Sequence, residues 1–247
     1  MDGVFIQSGN LLPGALETVN ILKAKNIPFR FLTNTTTKSK KTLHKQLNRL
    51  GIKCEEKHIF SAGFAGIRTI IDMGGPSCKL YISDDLKKDY KVFNLNNSSP
   101  ELIVIGDYKK WDTNLLNQAF NYVMAGANIL ALHVGKYYKT DTGFKLDVGA
   151  FVKAIEYSTG KKAIVVGKPN TLFFQEALHD LKLTQNDVLM IGDDLHNDIY
   201  GAQRLNIKGI LVKTGNYSPK NIQDSTIAPD GIIDSIGEIA KILESPF

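Results

Sequence analysis

The sequence predicts an α/β protein in which a doubly wound, mostly parallel sheet is covered by helices. Apolar runs of strand length alternate with segments of helical spacing along almost the whole chain. Polar residues directly follow several of these runs, and one glycine-rich stretch divides the chain. Hydrophobic residues at 43% and charged residues at 22% fit a soluble globular protein of 247 residues.

The first section of the chain contains two strand signals and three helix signals. Pro13 precedes a helically spaced segment and suits the first turn of a helix. Gly51 ends a lysine-rich helix that follows a polar loop at Thr33–Thr37. The predicted elements are a helix at 14–25, a strand at 27–32, the lysine-rich helix up to Leu50, a short strand at 59–60 and a helix at 62–73.

Gly74-Gly75-Pro76 is the strongest break in the chain, and the character of the sequence changes after it. The middle section has predicted strands at 79–82, 102–105 and 129–133, helices at 115–124 and 148–158, and a polar, aromatic loop at 134–147. The last section has predicted strands at 163–166, 188–191 and 209–212 and helices at 172–181 and 235–243. The sequence thus falls into three sections, at about residues 1–76, 77–160 and 161–247.

Bulk properties exclude several classes of protein. No apolar run approaches the roughly 20 residues that span a bilayer, and the N-terminus lacks the pattern of a secretory signal. The two cysteines, Cys54 and Cys78, suggest no disulfide framework, so we expect a reducing, cytoplasmic location. The formal charge of +5 fits either a lysine-rich surface or attraction of anionic partners, and no nucleic-acid-binding fingerprint accompanies it.

A group of hard oxygen ligands follows the predicted strand at 188–191. Asp193 and Asp194 come directly after this strand, and Asn197 and Asp198 follow at short spacing. Mg²⁺ is typically held by one or two carboxylates and keeps water or phosphate oxygens in its other positions. The alternative for such a pair is a helix N-cap that also complements the helix dipole.

Two other predicted strand ends carry groups suited to phosphate. Thr33 and Asn34 offer a hydroxyl and an amide beside the start of a helix, although capping and turn formation also explain them. Lys168 can place an ammonium against a phosphoryl group, although a solvated loop lysine is the plainer reading. Because ligands of parallel sheets bind at the carboxyl ends of the strands, these groups are predicted to converge with Asp2 and Asp193 on one site.

The order Asp-Gly-Val, Leu-Thr-Asn, Gly-Lys-Pro and Ile-Gly-Asp-Asp-x-x-x-Asp-Ile resembles the four motifs of haloacid dehalogenase-type phosphatases. The strings FLTNTTTKSK, VVGKPN, VLMIGDD and GILVKTGNY are similar to subfamily IIA of this superfamily, and the resemblance covers essentially the whole chain. It implies a Rossmann-like core with an α/β cap of the C2 type, Mg²⁺ as cofactor and a small phosphorylated metabolite as substrate.

The resemblance also implies a role for each matching residue. Asp2 would protonate the leaving oxygen and activate the hydrolytic water, while its backbone carbonyl binds Mg²⁺. Thr33 and Asn34 would hold the phosphoryl group, and Lys168 would offset its developing charge. Asp193 would bind the metal directly, whereas Asp194 and Asp198 would orient the groups around it.

The sequence departs from the family pattern at its front. In the family, the first aspartate of Asp-x-Asp-Gly attacks phosphorus and forms an aspartyl-phosphate. This nucleophile would stand two residues before Asp2, and Met1 is only one residue before it. We expect that a start placed too late removed this aspartate and the apolar strand that carries it. A catalytically inactive protein that binds phosphate or metal, or has a regulatory role, is the alternative.

The resemblance implies that residues 1–76 and 161–247 form the core domain and that residues 77–160 form the inserted cap. The cap is expected to close over the site and to contact the substrate. The residues in the position of a specificity loop are His133, Lys136, Tyr137, Tyr138 and Lys139, although ordinary surface or cap packing is the plainer reading of each. The resemblance also allows a homodimer formed through the cap, and no nucleic-acid or membrane partner is expected. A phospho-acceptor receiver domain is rejected, because there the acidic pair comes first and Lys-Pro last in a shorter chain.

Overall fold

The computed structural model describes residues 1–244, apart from the side chains of Lys139 and Glu244. Short strands and helices alternate along the chain, as follows: β1 (Ile6–Gln7), β2 (Asn10–Leu11), α1 (Ala15–Ala24), β3 (Phe31–Thr33), α2 (Lys40–Arg49), β4 (Ile59–Ser61), α3 (Ala62–Asp72), β5 (Cys78–Tyr81), β6 (Leu102–Ile105), α4 (Thr113–Met124), β7 (Asn128–Ala131), β8 (Tyr137–Thr140), β9 (Gly143–Leu146), α5 (Val148–Thr159), β10 (Ile164–Val165), α6 (Thr171–Leu181), β11 (Leu189–Gly192), α7 (Gly201–Gln203), β12 (Lys208–Val212), α8 (Pro219–Gln223), β13 (Gly231–Ile233) and α9 (Gly237–Glu244). A π-helical turn, Leu195–Tyr200, follows β11.

The chain divides into two compact units. Unit 1 comprises residues 1–33, 44–60 and 168–247, and unit 2 comprises residues 34–43 and 61–167. The predicted boundaries at 76/77 and 160/161 stay predictions, since these units follow the packing of the chain rather than the predicted insertion.

Unit 1 contains a parallel sheet with the strand order β11–β12–β13. β3 pairs with β4 in a separate two-stranded sheet, and β1 and β2 form a short antiparallel hairpin. Val4, Ala15, Val212 and Ile236 are buried together in one apolar cluster. The strands of the three-stranded sheet end at one edge, so β11 delivers the residues that follow Gly192 to that edge.

Unit 2 contains a four-stranded parallel sheet with the order β10–β7–β6–β5. β6 is buried along its whole length, as expected for a central parallel strand covered on both faces. Side chains of β6 and β7 pack against α4 and α5 through Ile103, Ile129, Val123 and Val152. The separated antiparallel hairpin β8–β9 follows β7.

Glu156 is a buried carboxylate on α5. It accepts hydrogen bonds from Nζ of Lys153 at 2.6 Å and from the backbone N–H of Ala163 at 2.8 Å. Burial alone would raise the pKa of Glu156, but these hydrogen bonds and the nearby lysines outweigh burial and lower it. The Glu156 carboxylate therefore links α5 to the segment that leads into β10.

The predicted alternation of strands and helices, and the parallel sheet that it implied, are confirmed. The interpretation of residues 134–147 as an unstructured loop is wrong, because this segment contains the hairpin of β8 and β9. All four residues of β9 are exposed, so the hairpin lacks the apolar alternation that identifies a half-buried strand. None of the helices within residues 1–244 is both long enough and apolar enough to cross a membrane.

Candidate active site

Asp193 lies in unit 1, directly after the end of β11, and is only 5% exposed. Its Oδ2 accepts the backbone N–H of Asn216 at 2.8 Å. A Cβ atom on Gly3 would lie 2.0 Å from Oδ2 of Asp193, and one on Gly215 would lie 2.1 Å from it. Both glycines also have positive φ, at 75° and 60°. The carboxylate therefore sits in a cradle of two glycines, into which no side chain fits.

The same cradle brings Asp2 to Asp193. Cα of Gly3 would be 2.5 Å from a Cβ on Gly215, and the carbonyl of Gly3 accepts a hydrogen bond from the hydroxyl of Thr214. Asp2 precedes Gly3 in the chain and is itself exposed. The Asp-Gly pair and the carboxylate after β11 thus lie next to each other in unit 1.

Lys168 and Asp198 form a buried ion pair. Nζ of Lys168 lies 2.5 Å from Oδ1 of Asp198, and the two side chains are 9% and 5% exposed. A Cβ on Gly192 would lie 2.2 Å from Cβ of Asp198, so the last residue of β11 has to be glycine-sized for Asp198 to approach. Asp198 therefore fixes the position of the lysine ammonium at the end of β11.

The amino group of Met1 lies beside the end of β3, where it donates to the carbonyl of Leu32 at 3.0 Å. Burial lowers the pKa of this amine, and the Lys168 cation lowers it further, whereas the carboxylates of Asp198, Asp2 and Asp193 act in the opposite direction.

Burial raises the pKa of the Asp193 carboxyl group. The N–H of Asn216 and the positive charge of the Met1 amine lower this pKa, while the negative charge of Asp198 raises it. A cation beside a buried carboxylate offsets the cost of burying its charge. This environment fits a metal ligand better than a solvated surface aspartate.

Asp194 has a different task from Asp193. Oδ1 of Asp194 accepts the backbone N–H groups of His196 and Asn197 at 3.0 and 2.8 Å, and Oδ2 accepts the side-chain amide of Asn197 at 2.9 Å. Asp194 is therefore the N-cap of the π-helical turn. The capping alternative raised for the Asp-Asp pair applies to its second member, while Asp193 remains directed to the glycine cradle.

Thr33 ends β3 in unit 1 and is buried. Asn34 belongs to unit 2, where a Cβ on Gly167 would lie 3.1 Å from its Oδ1. The structure thus groups Asp2, Thr33, Lys168, Asp193 and Asp198 in unit 1, and it places Asn34 beside the residue that precedes Lys168. The assigned roles of these residues in phosphate and metal binding stay predictions.

An apolar cavity of about 150 Å³ lies in unit 1 between the two sheets. β3 contributes Phe31 to its wall, β11 contributes Met190 and Ile191, and Met1 and Val4 complete this side. Within the described residues, β3 and β11 belong to separate sheets and do not pair with each other. Both strands thus border one apolar space.

Sequence reasoning missed the segment Thr214-Gly215-Asn216, which follows β12. These neutral residues carry no acid or base, yet they supply one wall of the glycine cradle and the N–H that binds Asp193. The signal that could have found them is their position, since they follow a parallel strand next to β11 in the sheet.

The two ring nitrogens of His133, a residue in the predicted position of a specificity loop, face carboxylates. Nε2 lies 3.4 Å from Oδ2 of Asp107, and Nδ1 lies 3.9 Å from Oδ2 of Asp147. Two negative charges beside the imidazole make it a poor anion site. Tyr137 and Tyr138 are exposed on the hairpin, and the side chain of Lys139 lies outside the described part of the chain.

Comparison with known families agrees with these motifs. Residues 1–95 match a family model described as haloacid dehalogenase-like hydrolase, and residues 165–239 match one described as HAD-hydrolase-like. The chain is 39% identical over 207 residues to haloacid dehalogenase-like hydrolase domain-containing protein 2 from Mus musculus, which covers 83% of this chain and 79% of that protein. It is 35% identical over 244 residues to phospholysine phosphohistidine inorganic pyrophosphate phosphatase from Danio rerio, which covers 96% of this chain and 89% of that protein.

Solved structures share the whole fold. A 4-nitrophenylphosphatase from Thermotoga maritima superposes with a TM-score of 0.91 and 27% sequence identity, covering 99% of this chain and 95% of that chain. A p-nitrophenyl phosphatase from Archaeoglobus fulgidus superposes with a TM-score of 0.90 and 23% identity, covering 98% and 97%. At that lower identity, the second likeness concerns the fold alone.

Proposed function

Because this chain belongs to the haloacid dehalogenase-like hydrolases, we propose that it is a Mg²⁺-dependent phosphatase acting on a small phosphorylated metabolite through an aspartyl-phosphate. One observation carries the proposal: the Asp193 carboxylate lies against Gly3, which follows Asp2, and the buried Lys168–Asp198 ion pair lies at the end of the same strand, β11. The relatives named above as phosphatases support the reaction type. A carboxylate pair, a buried lysine and a threonine hydroxyl are the groups that phosphoryl transfer needs.

The donor set fits Mg²⁺. Asp193 offers a carboxylate whose pKa is raised by burial, and the missing Cβ atoms of Gly3 and Gly215 let the backbone that follows Asp2 approach it closely. Asp193 and the backbone carbonyl of Asp2 would hold the ion, with water and phosphate oxygens completing the coordination. Bound there, the ion would neutralise charge on the phosphoryl oxygens.

The protein groups have separate tasks in this proposal. Lys168, held by Asp198, stabilises the negative charge that develops on the transferring phosphoryl group. The Thr33 hydroxyl and the Asn34 amide orient that group. The Asp2 carboxyl group is exposed and therefore accessible to water. This access suits a residue that first protonates the leaving oxygen and then activates the hydrolytic water.

We assign the attack on phosphorus to the first aspartate of the Asp-x-Asp-Gly motif, of which Asp2 and Gly3 form the end. The alternative is a catalytically inactive protein of the same fold that binds phosphate or metal, or has a regulatory role.

The test compares Mg²⁺-dependent release of phosphate from 4-nitrophenyl phosphate by two proteins. One is the 247-residue chain, and the other carries the upstream in-frame codons of its gene. We expect turnover from the longer protein and its loss in the longer protein's Asp193→Asn variant. The matched control is Asp187→Asn, because Asp187 is a surface residue that binds Thr184 in the turn before β11.

The outcomes separate the two candidates. An upstream sequence without an apolar run ending in aspartate would favour the inactive binding protein. Turnover by the longer protein that persists unchanged in the Asp193→Asn variant would refute the assigned metal site.

A further inference from the structure

Unit 2 has a cavity of about 410 Å³ beside His133, and this size suits a small ligand. Asp107 and Asp147 both lie on its wall, together with the rings of Trp111 and Phe151. His133 itself is 9% exposed. One possible ligand atom from each of Asp107, His133 and Asp147 lies within 4.8 Å of the other two.

The distances within this group are too long for strong hydrogen bonds. Charge-assisted N–H···O bonds measure about 2.7–2.9 Å. The Nε2–Asp107 and Nδ1–Asp147 distances are 3.4 and 3.9 Å. Two ligands on one tetrahedral Zn²⁺, each about 2.0–2.1 Å from the ion, are roughly 3.3–3.4 Å apart. A shift of about half an ångström would bring Nδ1 and Asp147 to that separation.

The tautomer of His133 identifies the nitrogen that can bind an ion. The backbone N–H of Gly135 donates to Nδ1 at 3.2 Å, so Nδ1 carries a lone pair and the proton resides on Nε2. Nε2 points to Asp107, whose Oδ2 also accepts the Thr36 hydroxyl at 2.6 Å. A metal-binding histidine commonly donates its second N–H to a carboxylate in this way.

Asp147 has one oxygen engaged and one directed to His133. Its Oδ1 caps α5 by accepting the N–H of Val148 at 2.7 Å, while Oδ2 is the oxygen nearest Nδ1. Lys109 and Lys145 also line the cavity, but within residues 1–244 no lysine or arginine forms an ion pair with Asp107 or Asp147. A cation between Nδ1 and Oδ2 would be attracted by both carboxylates.

We propose that His133 Nδ1 and Asp147 Oδ2 bind a divalent transition-metal ion of the Zn²⁺ class in unit 2, with Asp107 as the positioning residue that orients the imidazole. The ion replaces the Gly135 N–H as the partner of Nδ1. Water in the cavity fills the remaining positions. An imidazole nitrogen in the ligand set favours Zn²⁺ over Mg²⁺, which prefers oxygen alone. This site is independent of the phosphatase proposal, since its residues belong to unit 2 and none of them is assigned to catalysis.

The test is calorimetric titration of Zn²⁺ into the full chain with Mg²⁺ in excess, so that sites preferring Mg²⁺ are saturated. We expect one Zn²⁺ per chain, and His133→Gln and Asp147→Asn should each weaken binding at least tenfold. Asp107→Asn should weaken it about 10–100-fold, as loss of a supporting carboxylate does. Asp141→Asn, in the exposed turn between β8 and β9, is the matched control and should leave the affinity unchanged. Asparagine at 147 can still cap α5, which preserves the fold.

A second measurement needs no variant. In ¹⁵N-histidine spectra of the wild-type chain, Zn²⁺ should shift the ring nitrogens of one of the five histidines, with the larger change at Nδ1. Absence of Zn²⁺ binding, or an affinity unaltered in both the His133 and Asp147 variants, would overturn the proposal. So would a His133 that stays doubly protonated between the two carboxylates and ignores the metal.

Discussion

Replacing Lys168 by methionine removes the cation from the buried pair that it forms with Asp198. The two charged atoms are 2.5 Å apart, and the side chains are 9% and 5% exposed, so water cannot solvate the carboxylate that remains. Removing one partner from a buried pair typically costs about 3–5 kcal/mol. We expect Lys168→Met to lower the free energy of unfolding by that amount and the melting temperature by roughly 10 °C.

Urea denaturation of a double-mutant cycle measures the interaction itself. Lys168→Met and Asp198→Asn should each cost about 3–5 kcal/mol, while the double variant should cost little more than either one, because it leaves no unpaired charge. Lys213→Met is the matched control. Lys213 pairs with Asp234 at 2.7 Å, but these side chains are 46% and 77% exposed, so the loss of stability should be much smaller than for Lys168→Met.

A double variant whose loss of unfolding free energy equals the sum of the two single losses would refute this reasoning. A Lys168→Met variant that is no less stable than the surface control would do the same, because it would mean that the pair is solvated in solution.

Three further predictions concern stability and metal binding. Gly3→Ala should lower the free energy of unfolding by more than twice the roughly 1–2 kcal/mol expected for Gly9→Ala, and it should weaken Mg²⁺ binding. Both glycines have positive φ, but only the new Cβ at position 3 meets a carboxylate. Equal losses of stability in urea denaturation, together with equal Mg²⁺ affinities by calorimetry, would contradict this prediction. Thr36→Val should lower the free energy of unfolding by about 1–3 kcal/mol, because the fully buried Thr36 hydroxyl accepts the N–H of Asp107 at 2.8 Å and donates to the Asp107 carboxylate. Thr36→Ser keeps both hydrogen bonds and should therefore be more stable than Thr36→Val. Equal melting temperatures of the two variants would be evidence against these hydrogen bonds. Above the ordinary carboxyl pKa range, Glu156→Gln should have a lower free energy of unfolding than the wild type. This difference should shrink as the pH falls through the lowered pKa of Glu156, since the wild-type carboxylate then takes up a proton. A difference that grows on acidification, in urea titrations from pH 7 to pH 3, would contradict the prediction.

The parts of the fold that were predicted correctly are those in which burial leaves a local pattern. β6, with the sequence LIVI, is an apolar run because both faces are covered, and α5 shows helical spacing because one side is buried. The hairpin β8–β9 leaves no such pattern, because Tyr137, Phe144 and Leu146 are apolar yet exposed. Backbone pairing forms this hairpin, and periodicity of burial does not report it.

The candidate site was predictable where charged residues follow strands. The sequence indicated Asp193 and Lys168 as site residues because each is a charged residue that follows an apolar, strand-like run. Gly215 and Asn216 were not found, since their role depends on a glycine without Cβ and on one backbone N–H. Packing alone assigns such roles, so the sequence cannot indicate them before the sheet order is known.

The central claim is that Asp193 and the Asp2 carbonyl hold the metal beside Lys168. A crystal structure of the chain grown with Mn²⁺ in place of Mg²⁺ tests it directly, because the anomalous signal locates the ion. We predict a peak roughly 2.0–2.3 Å from a carboxylate oxygen of Asp193 and from the carbonyl oxygen of Asp2. A well-occupied peak elsewhere, with the Asp193 carboxylate bound only by protein donors, would contradict the account.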